Sequence, residues 1–219
     1  MFESETVNNS KHNVYIIKGD KYIGRTIANG YEWDGWMHQD LKEFYRSGTK
    51  ILDIGANIGY NTLMCSEYGP VESFEPLFHD FVSRNVSRNN LKHEVRVNRF
   101  GLSDVNEKIK IYLPLPQEGE INYGGSSMNP TDAHDKNSGY EVETKVLDEI
   151  FDEPVSFVKM DVEGHEERVL SGMKNLLEKY KPYTLIEIHD IENSKIPTFM
   201  YSLGYTGGLI RPEKMYGFF

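Results

Sequence analysis

The sequence predicts an α/β fold, a mostly parallel, seven-stranded twisted sheet with helices on both faces and a short N-terminal extension. Three observations carry this reading. Short apolar runs alternate with segments whose apolar residues recur at helical spacing, as βαβ units require. A glycine-punctuated turn, Gly55-Ala56-Asn57-Ile58-Gly59, separates the first buried run from the first such segment. Acidic residues sit at or near the ends of the runs, at Asp53, Glu75 and Asp161, where open sheets present their ligand-binding rim.

Residues 1–13 are polar and acidic and read as a loose tail. Residues 14–17 read as a strand, with 22–27 as its pairing partner. Both tryptophans fall within residues 30–36; they are expected to pack as a layer on the core, with Glu32 or Trp36 able to reach a ligand. Leu41, Phe44 and Tyr45 follow at helical spacing. Residues 51–54 form an apolar run suited to a strand buried on both faces, and a helix should start near Gly59. Residues 71–74 make the second strand, and Leu77, Phe78, Phe81, Val82 and Val86 line one face of the next helix. Residues 95–97 make the third strand, followed by a turn at 101–104.

Residues 108–112 and 140–146 alternate like exposed strands and are expected to pair. Between them, residues 114–139 are rich in Pro, Gly, Asn and Ser and read as an acceptor-side lid. Residues 155–160 form the fourth strand, ending in Asp161, and one helix then presents Val169, Leu170, Met173, Leu176 and Leu177. Residues 183–188 form the fifth strand, ending in His189. Ile196, Phe199, Met200 and Leu203 mark a last helix stopped by Gly204, and 205–219 supply closing edge strands. Residues 1–48 are thus an extension packed on a core at 49–219, within one domain.

With 219 residues, 38% of them hydrophobic, the chain suits a single folded domain. A net charge of -10 disfavours nucleic acid as a partner, because phosphate binding depends on Lys and Arg. The lone Cys65 allows no intrachain disulfide, which points to the cytoplasm. The first residues lack the basic and apolar segments of a signal peptide, and no run reaches the roughly 18 apolar residues of a membrane span.

Gly55 and Gly59 stand four apart, unlike the G-x-G-x-x-G of dinucleotide sites, so a nicotinamide cofactor is disfavoured. A carboxylate at Asp53 would attract a ligand carrying an ammonium or sulfonium group, and S-adenosylmethionine carries both. Glu75 lies 20 residues beyond Gly55, where a carboxylate that binds ribose hydroxyls is expected.

The stretches Asp53-Ile54-Gly55-Ala56-Asn57-Ile58-Gly59, Phe74-Glu75-Pro76, Leu102-Ser103-Asp104 and Met160-Asp161-Val162-Glu163-Gly164-His165-Glu166 together resemble the FkbM family of methyltransferases, over residues 30–204. The last stretch, followed by Val169-Leu170-Ser171-Gly172, is the most specific. The resemblance implies a Rossmann-like methyltransferase fold, S-adenosylmethionine as cofactor, O-methylation and a carbohydrate acceptor, and it sets Leu102 and Ser103 beside the adenine. Asp53, Gly55, Ala56, Asn57, Gly59, Glu75, Leu102, Ser103 and Asp161 are therefore the expected cofactor residues.

Methyl transfer to a hydroxyl needs alignment and a proton acceptor. His189 is the expected base, with Asp161 and Glu187 orienting it or the acceptor's hydroxyls, and His165 is the second candidate. Asp161, Glu187 and His189 could instead hold Mg²⁺ or Mn²⁺, which would acidify the hydroxyl. The expected partner is a glycan or other small-molecule acceptor. Natural-product hydroxyls and a non-catalytic module of a larger glycan-building protein are the rival readings. Amino methylation of nucleic acid is disfavoured by the absence of an Asn-Pro-Pro-Tyr-like tetrapeptide.

Overall fold

A computed structural model describes residues 2–8, 11–212 and 214–219. Of the expected tail, residues 1, 9 and 10 lie outside the described residues. The rest is built differently from the expectation, because Ser4–Asn8 (β1) pairs antiparallel with Asn13–Ile17 (β2), Val7 opposite Val14. Residues 22–27 do not join them as a strand. Ile23–Ala28 is a helix (α1) that buries Ile23 and Ile27, four apart on one face, with the Asp20 carboxylate accepting the Gly24 N–H. Met37–Phe44 (α2) follows, burying Met37 and Leu41.

The core then runs Lys50–Ile54 (β3), Tyr60–Cys65 (α3), Val71–Phe74 (β4), His79–Arg88 (α4) and Val95–Asn98 (β5). Gly101–Leu102 (β6), Glu107–Pro114 (β7) and His134–Lys145 (β8) form a separate three-stranded sheet in the order β6-β8-β7. The expected pairing of the two alternating segments is thus found, with Ile109 opposite Val142. The segment between them is more built than a loop, since β8 starts at His134, Tyr123–Gly125 forms a 3₁₀ turn, and Ile121 bridges to Asp20.

Leu147–Ile150 (α5), Val155–Met160 (β9), Glu166–Gly172 (α6), Lys174–Tyr180 (α7), Tyr183–Glu187 (β10), Ile196–Ser202 (α8), Gly207–Ile210 (β11) and Met215–Phe218 (β12) complete the chain. The single helix expected after β9 is two. The chain breaks at Met173, and the Asp148 carboxylate accepts the N–H groups of Asn175 and Leu176, capping a new start.

The main sheet has seven strands in the order β11-β12-β10-β9-β3-β4-β5. β10, β9, β3, β4 and β5 are mutually parallel, and β12 and β11 close the edge antiparallel. Successive residues serve opposite faces. Ile51, Phe157 and Leu185 join the core under α2, α3 and the N-terminal elements, while Leu52, Val158 and Ile186 join the one under α6, α7 and α8. Among the described residues no helix is long and apolar enough to cross a membrane.

A buried polar knot ties α2 to the far edge. Asp40, with no exposed surface, receives Nε and Nη2 of Arg211 at 2.6–3.0 Å and the Tyr183 hydroxyl at 2.8 Å. Breaking such a pair from one side leaves a buried charge uncompensated, typically costing about 3–5 kcal/mol. Arg211→Ala, which leaves the fully buried Asp40 without its cation, should therefore lower unfolding stability by about 3 kcal/mol in a urea titration, and a change below about 1 kcal/mol would mean the knot contributes little.

Candidate active site

The strand order reverses between β3 and β9, and their following helices leave toward opposite faces of the sheet. Such a switch point opens a crevice beyond the strands' carboxyl ends. Here it is a cavity of about 430 Å³.

The turn after β3 forms its floor. Gly55 has φ +80°, and a Cβ on it would stand 1.8 Å from the carbonyl oxygen of Asp161, so only glycine lets the two strand tips meet. Asn57 is also left-handed, with φ +53°, and its N–H donates to Glu75 Oε2 at 2.8 Å. Glu75 Oε1 accepts the N–H groups of Leu77 and Phe78. Burial pushes the Glu75 carboxyl up to about 7, against these three N–H donors. Leu102, Pro76, Leu77 and Met128 line an apolar slot beside it.

A buried ammonium stands at the opposite side. Lys159, inside β9, directs Nζ at the Gly55 carbonyl (3.3 Å) and at Asp161 Oδ2 (3.4 Å). Burial alone would lower its pKa, but Asp161, Asp53 and Asp34 outweigh that and hold it well above the usual lysine range. Asp34, with φ +51°, comes from the N-terminal extension and accepts Nδ2 of Asn61 at 2.7 Å.

The third wall gathers Glu163, Glu187 and His189. His189 Nε2 lies 3.1 Å from Glu163 Oε2 and 3.2 Å from Glu187 Oε2. The hydrogen bond to Glu163 raises the His189 pKa against partial burial. Burial, with Asp161 and Glu163 nearby, pushes Glu187 up to about 10, so near neutral pH it is a protonated acid able to donate. Glu163 has φ +53°, uncommon for a residue with a side chain. Its carbonyl accepts Ser127 Oγ at 2.6 Å, and that of Gly164 accepts Asn129 Nδ2 at 2.7 Å, so the segment expected as a lid is fastened to this turn.

Of the expected site residues, Gly55, Ala56, Asn57, Glu75, Leu102, Asp161, Glu187 and His189 line the cavity. Three do not. Asp53 is fully buried beneath the floor, accepting Thr62 Oγ1 at 2.5 Å, and burial raises its pKa while Lys159 opposes this. Since alternate residues of β3 face opposite sides of the sheet, its carboxylate reaches the site only through Lys159. Gly59 caps α3, where a Cβ would press on Val82 at 2.9 Å, so it serves packing. Ser103 turns away, its Oγ donating to Asp104 and meeting His165 Nε2 at 3.0 Å. His165, the second candidate base, lines the cavity as well, and burial lowers its pKa.

The candidate cation ligands also differ from the expected set. Glu163, Glu187 and His189 bring one atom each within 4.8 Å of one another, so Glu163 replaces Asp161 in that group. From the extension, Trp33 and Asp34 line the cavity, whereas Glu32 and Trp36 do not. Lys159, Asp34, Asn61 and Tyr123 were missed from the sequence. A signal existed only for Lys159, a cation inside a strand otherwise buried on both faces.

Comparison with known proteins places the chain among methyltransferases. Residues 53–206 match the family described as the methyltransferase FkbM domain. Hexuronic acid methyltransferase AglP of Haloferax volcanii is 29% identical over 145 residues, covering 64% of this chain and 55% of that protein, so the chain spans about half of the relative's length. The crystal structure of an FkbM methyltransferase from Methylobacillus flagellatus KT superposes with a TM-score of 0.51 at 20% identity, over 83% of this chain and 50% of that one. The fold is accordingly the Rossmann-like methyltransferase fold.

The closeness of the strand tips is testable by substitution. Gly48→Ala meets only the strain of a positive φ, with no atom within 4 Å, whereas Gly55→Ala adds collision with backbone. Left-handed strain costs roughly 1–2 kcal/mol. Gly48→Ala should lower the melting temperature by a few degrees and Gly55→Ala by far more or to loss of folding; equal effects would mean that the tips separate freely.

Proposed function

The chain belongs to the FkbM methyltransferase family, and from that premise we propose that it transfers the methyl group of S-adenosylmethionine to a hydroxyl of a sugar or glycan. The observation that carries the reading is one crevice with three chemically distinct walls: the Glu75 slot, the Lys159 corner and the Glu163-Glu187-His189 cluster. The first two suit a cofactor with a ribose at one end and a zwitterion at the other. The third suits a hydroxyl that must lose a proton. The sugar assignment draws support from the relative named as a hexuronic acid methyltransferase.

In this reading Glu75 and Leu102 would hold the adenosine end, with the Glu75 carboxylate accepting from the ribose. With three N–H groups already on the carboxylate, its remaining acceptor position is on Oε2, and a ribose hydroxyl donating there would favour deprotonation of a carboxyl otherwise held near 7. S-adenosylmethionine, when bound, would supply the methyl group from its sulfonium, with the carbon–sulfur bonding pair retained by sulfur as a neutral thioether. Bringing the acceptor oxygen into line with that bond is the main contribution of the site.

The hydroxyl proton passes to His189. Its Nε2–H donates to Glu163, which fixes the tautomer with the lone pair on Nδ1 and stabilises the imidazolium that forms. Neutral Glu187 and Asp161 orient the acceptor's hydroxyls. If a divalent cation takes part, Glu163, Glu187 and His189 are the residues that would hold it, and it would displace the proton of Glu187.

Mass spectrometry of uronic acids, sugar nucleotides and short glycans incubated with the protein and methyl-labelled cofactor tests the reaction, and labelling of none would contradict it. His189→Ala should lose about 10²–10⁴-fold in turnover with cofactor affinity nearly unchanged. Insensitivity to EDTA separates this base from a required cation. The base must be neutral, and Glu163 raises its pKa, so the acid limb of kcat/KM should lie above the unperturbed histidine value of about 6.5. Glu163→Gln should move that limb to lower pH, and an unmoved limb would remove His189 from the proton transfer.

A further inference from the structure

From the corner around Lys159, we infer that Asp34 and Asn61 form the pocket for the cofactor's α-ammonium group, so that the N-terminal segment outside the matched family region completes the cofactor site. The inference rests on the S-adenosylmethionine reading above. Three observations converge on it.

The first is charge. Asp34, Asp53 and Asp161 surround a single buried cation, Lys159, which leaves the corner short of positive charge. Burial raises the pKa of Asp34 by more than the shared cation Lys159 lowers it. The second is hydrogen bonding. Asn61 directs Nδ2 at Asp34 Oδ2, so its Oδ1 faces the other way, buried and without a donor. Both residues line the cavity. A free amide oxygen beside a carboxylate is a set of acceptors awaiting a multiple donor, and a primary ammonium brings three N–H groups. The third is backbone. Asp34 holds a left-handed φ of +51°, and strained residues of this kind persist where the surroundings fix them for use.

The direction of the cavity selects the ammonium over other cations. Glu75 and the apolar slot take the adenosine end, on the β4 side of the floor, while Asp34 and Asn61 stand with Lys159 and Asp161 on the other. The amino-acid end of the cofactor therefore falls at this corner, and Lys159 is the natural partner of its carboxylate.

The test compares calorimetric affinities of two ligands, S-adenosylhomocysteine and the analogue whose amino group is replaced by hydrogen, in the wild-type protein and in Asp34→Asn. Asparagine tolerates the left-handed backbone and keeps the shape. The wild type should prefer the amino ligand by about 10–100-fold, the size of a charge-assisted hydrogen bond, and Asp34→Asn should lose most of that preference while binding the deaminated analogue as the wild type does. Because the readout is a ratio within one preparation, partial unfolding cannot mimic it. Equal weakening of both ligands would make Asp34 a wall, no change would make it a bystander, and either result overturns the inference. Wild-type protein that bound neither ligand would overturn the cofactor reading itself.

Discussion

The ammonium of Lys159 is the constraint on which the rest of the site depends. A lysine inside a parallel strand, with almost none of its surface exposed, is tolerable only when carboxylates and carbonyls offset its charge. Here Asp53 comes from β3, Asp161 from the turn after β9, Asp34 from the N-terminal extension, and the Gly55 carbonyl from the floor. One buried charge thereby bonds the Gly55 and Asp161 tips and draws electrostatically on Asp53 and Asp34. Removing it would leave three acids in a poorly solvated corner, so the cluster is held together by mutual need and not by any single strong bond.

In the proposed function the same geometry separates binding from chemistry. The strand tips of β3 and β9 touch at Gly55 and Asp161, and to one side of that contact the surface becomes apolar, with Glu75 as its polar member. To the other side carboxylates dominate, in two groups. The group around Lys159 has an internal cation, while the group around His189 relies on a histidine and on protonation of Glu187 for balance. A permanent cation suits holding, and a titratable one suits proton transfer. Ser127 and Asn129 clamp the Glu163 turn from above, which keeps the Glu163 side chain aimed at His189 despite its left-handed backbone.

Most of the sheet was legible because buried parallel strands announce themselves as apolar runs, and the glycine turn because its spacing is chemically restrictive. Illegible were the features decided by distant partners. Residues 22–27 alternate enough to resemble a strand, but the Ile23–Ile27 spacing and the Asp20 carboxylate favour a helix. The break at Met173 depends on Asp148, some 25 residues earlier, capping the second helix. Residues expected at strand ends do line the crevice, since strand ends can be read locally. Asp53 lies beneath the crevice, because a carboxylate two residues before the glycine turn is buried on the α3 face of the sheet. Asp34 and Asn61 carry no local mark, and only the tertiary fold brings them beside Lys159.

The central claim is that this crevice holds S-adenosylmethionine with its adenosine toward Glu75 and its amino acid toward Lys159. A crystal structure with S-adenosylhomocysteine tests it most directly. The account predicts ribose hydroxyls within hydrogen-bond distance of Glu75, the adenine against Leu102, and the amino-acid end at the Lys159, Asp34 and Asn61 corner. Ligand density in the reverse orientation, or outside the crevice between β3 and β9, would contradict it.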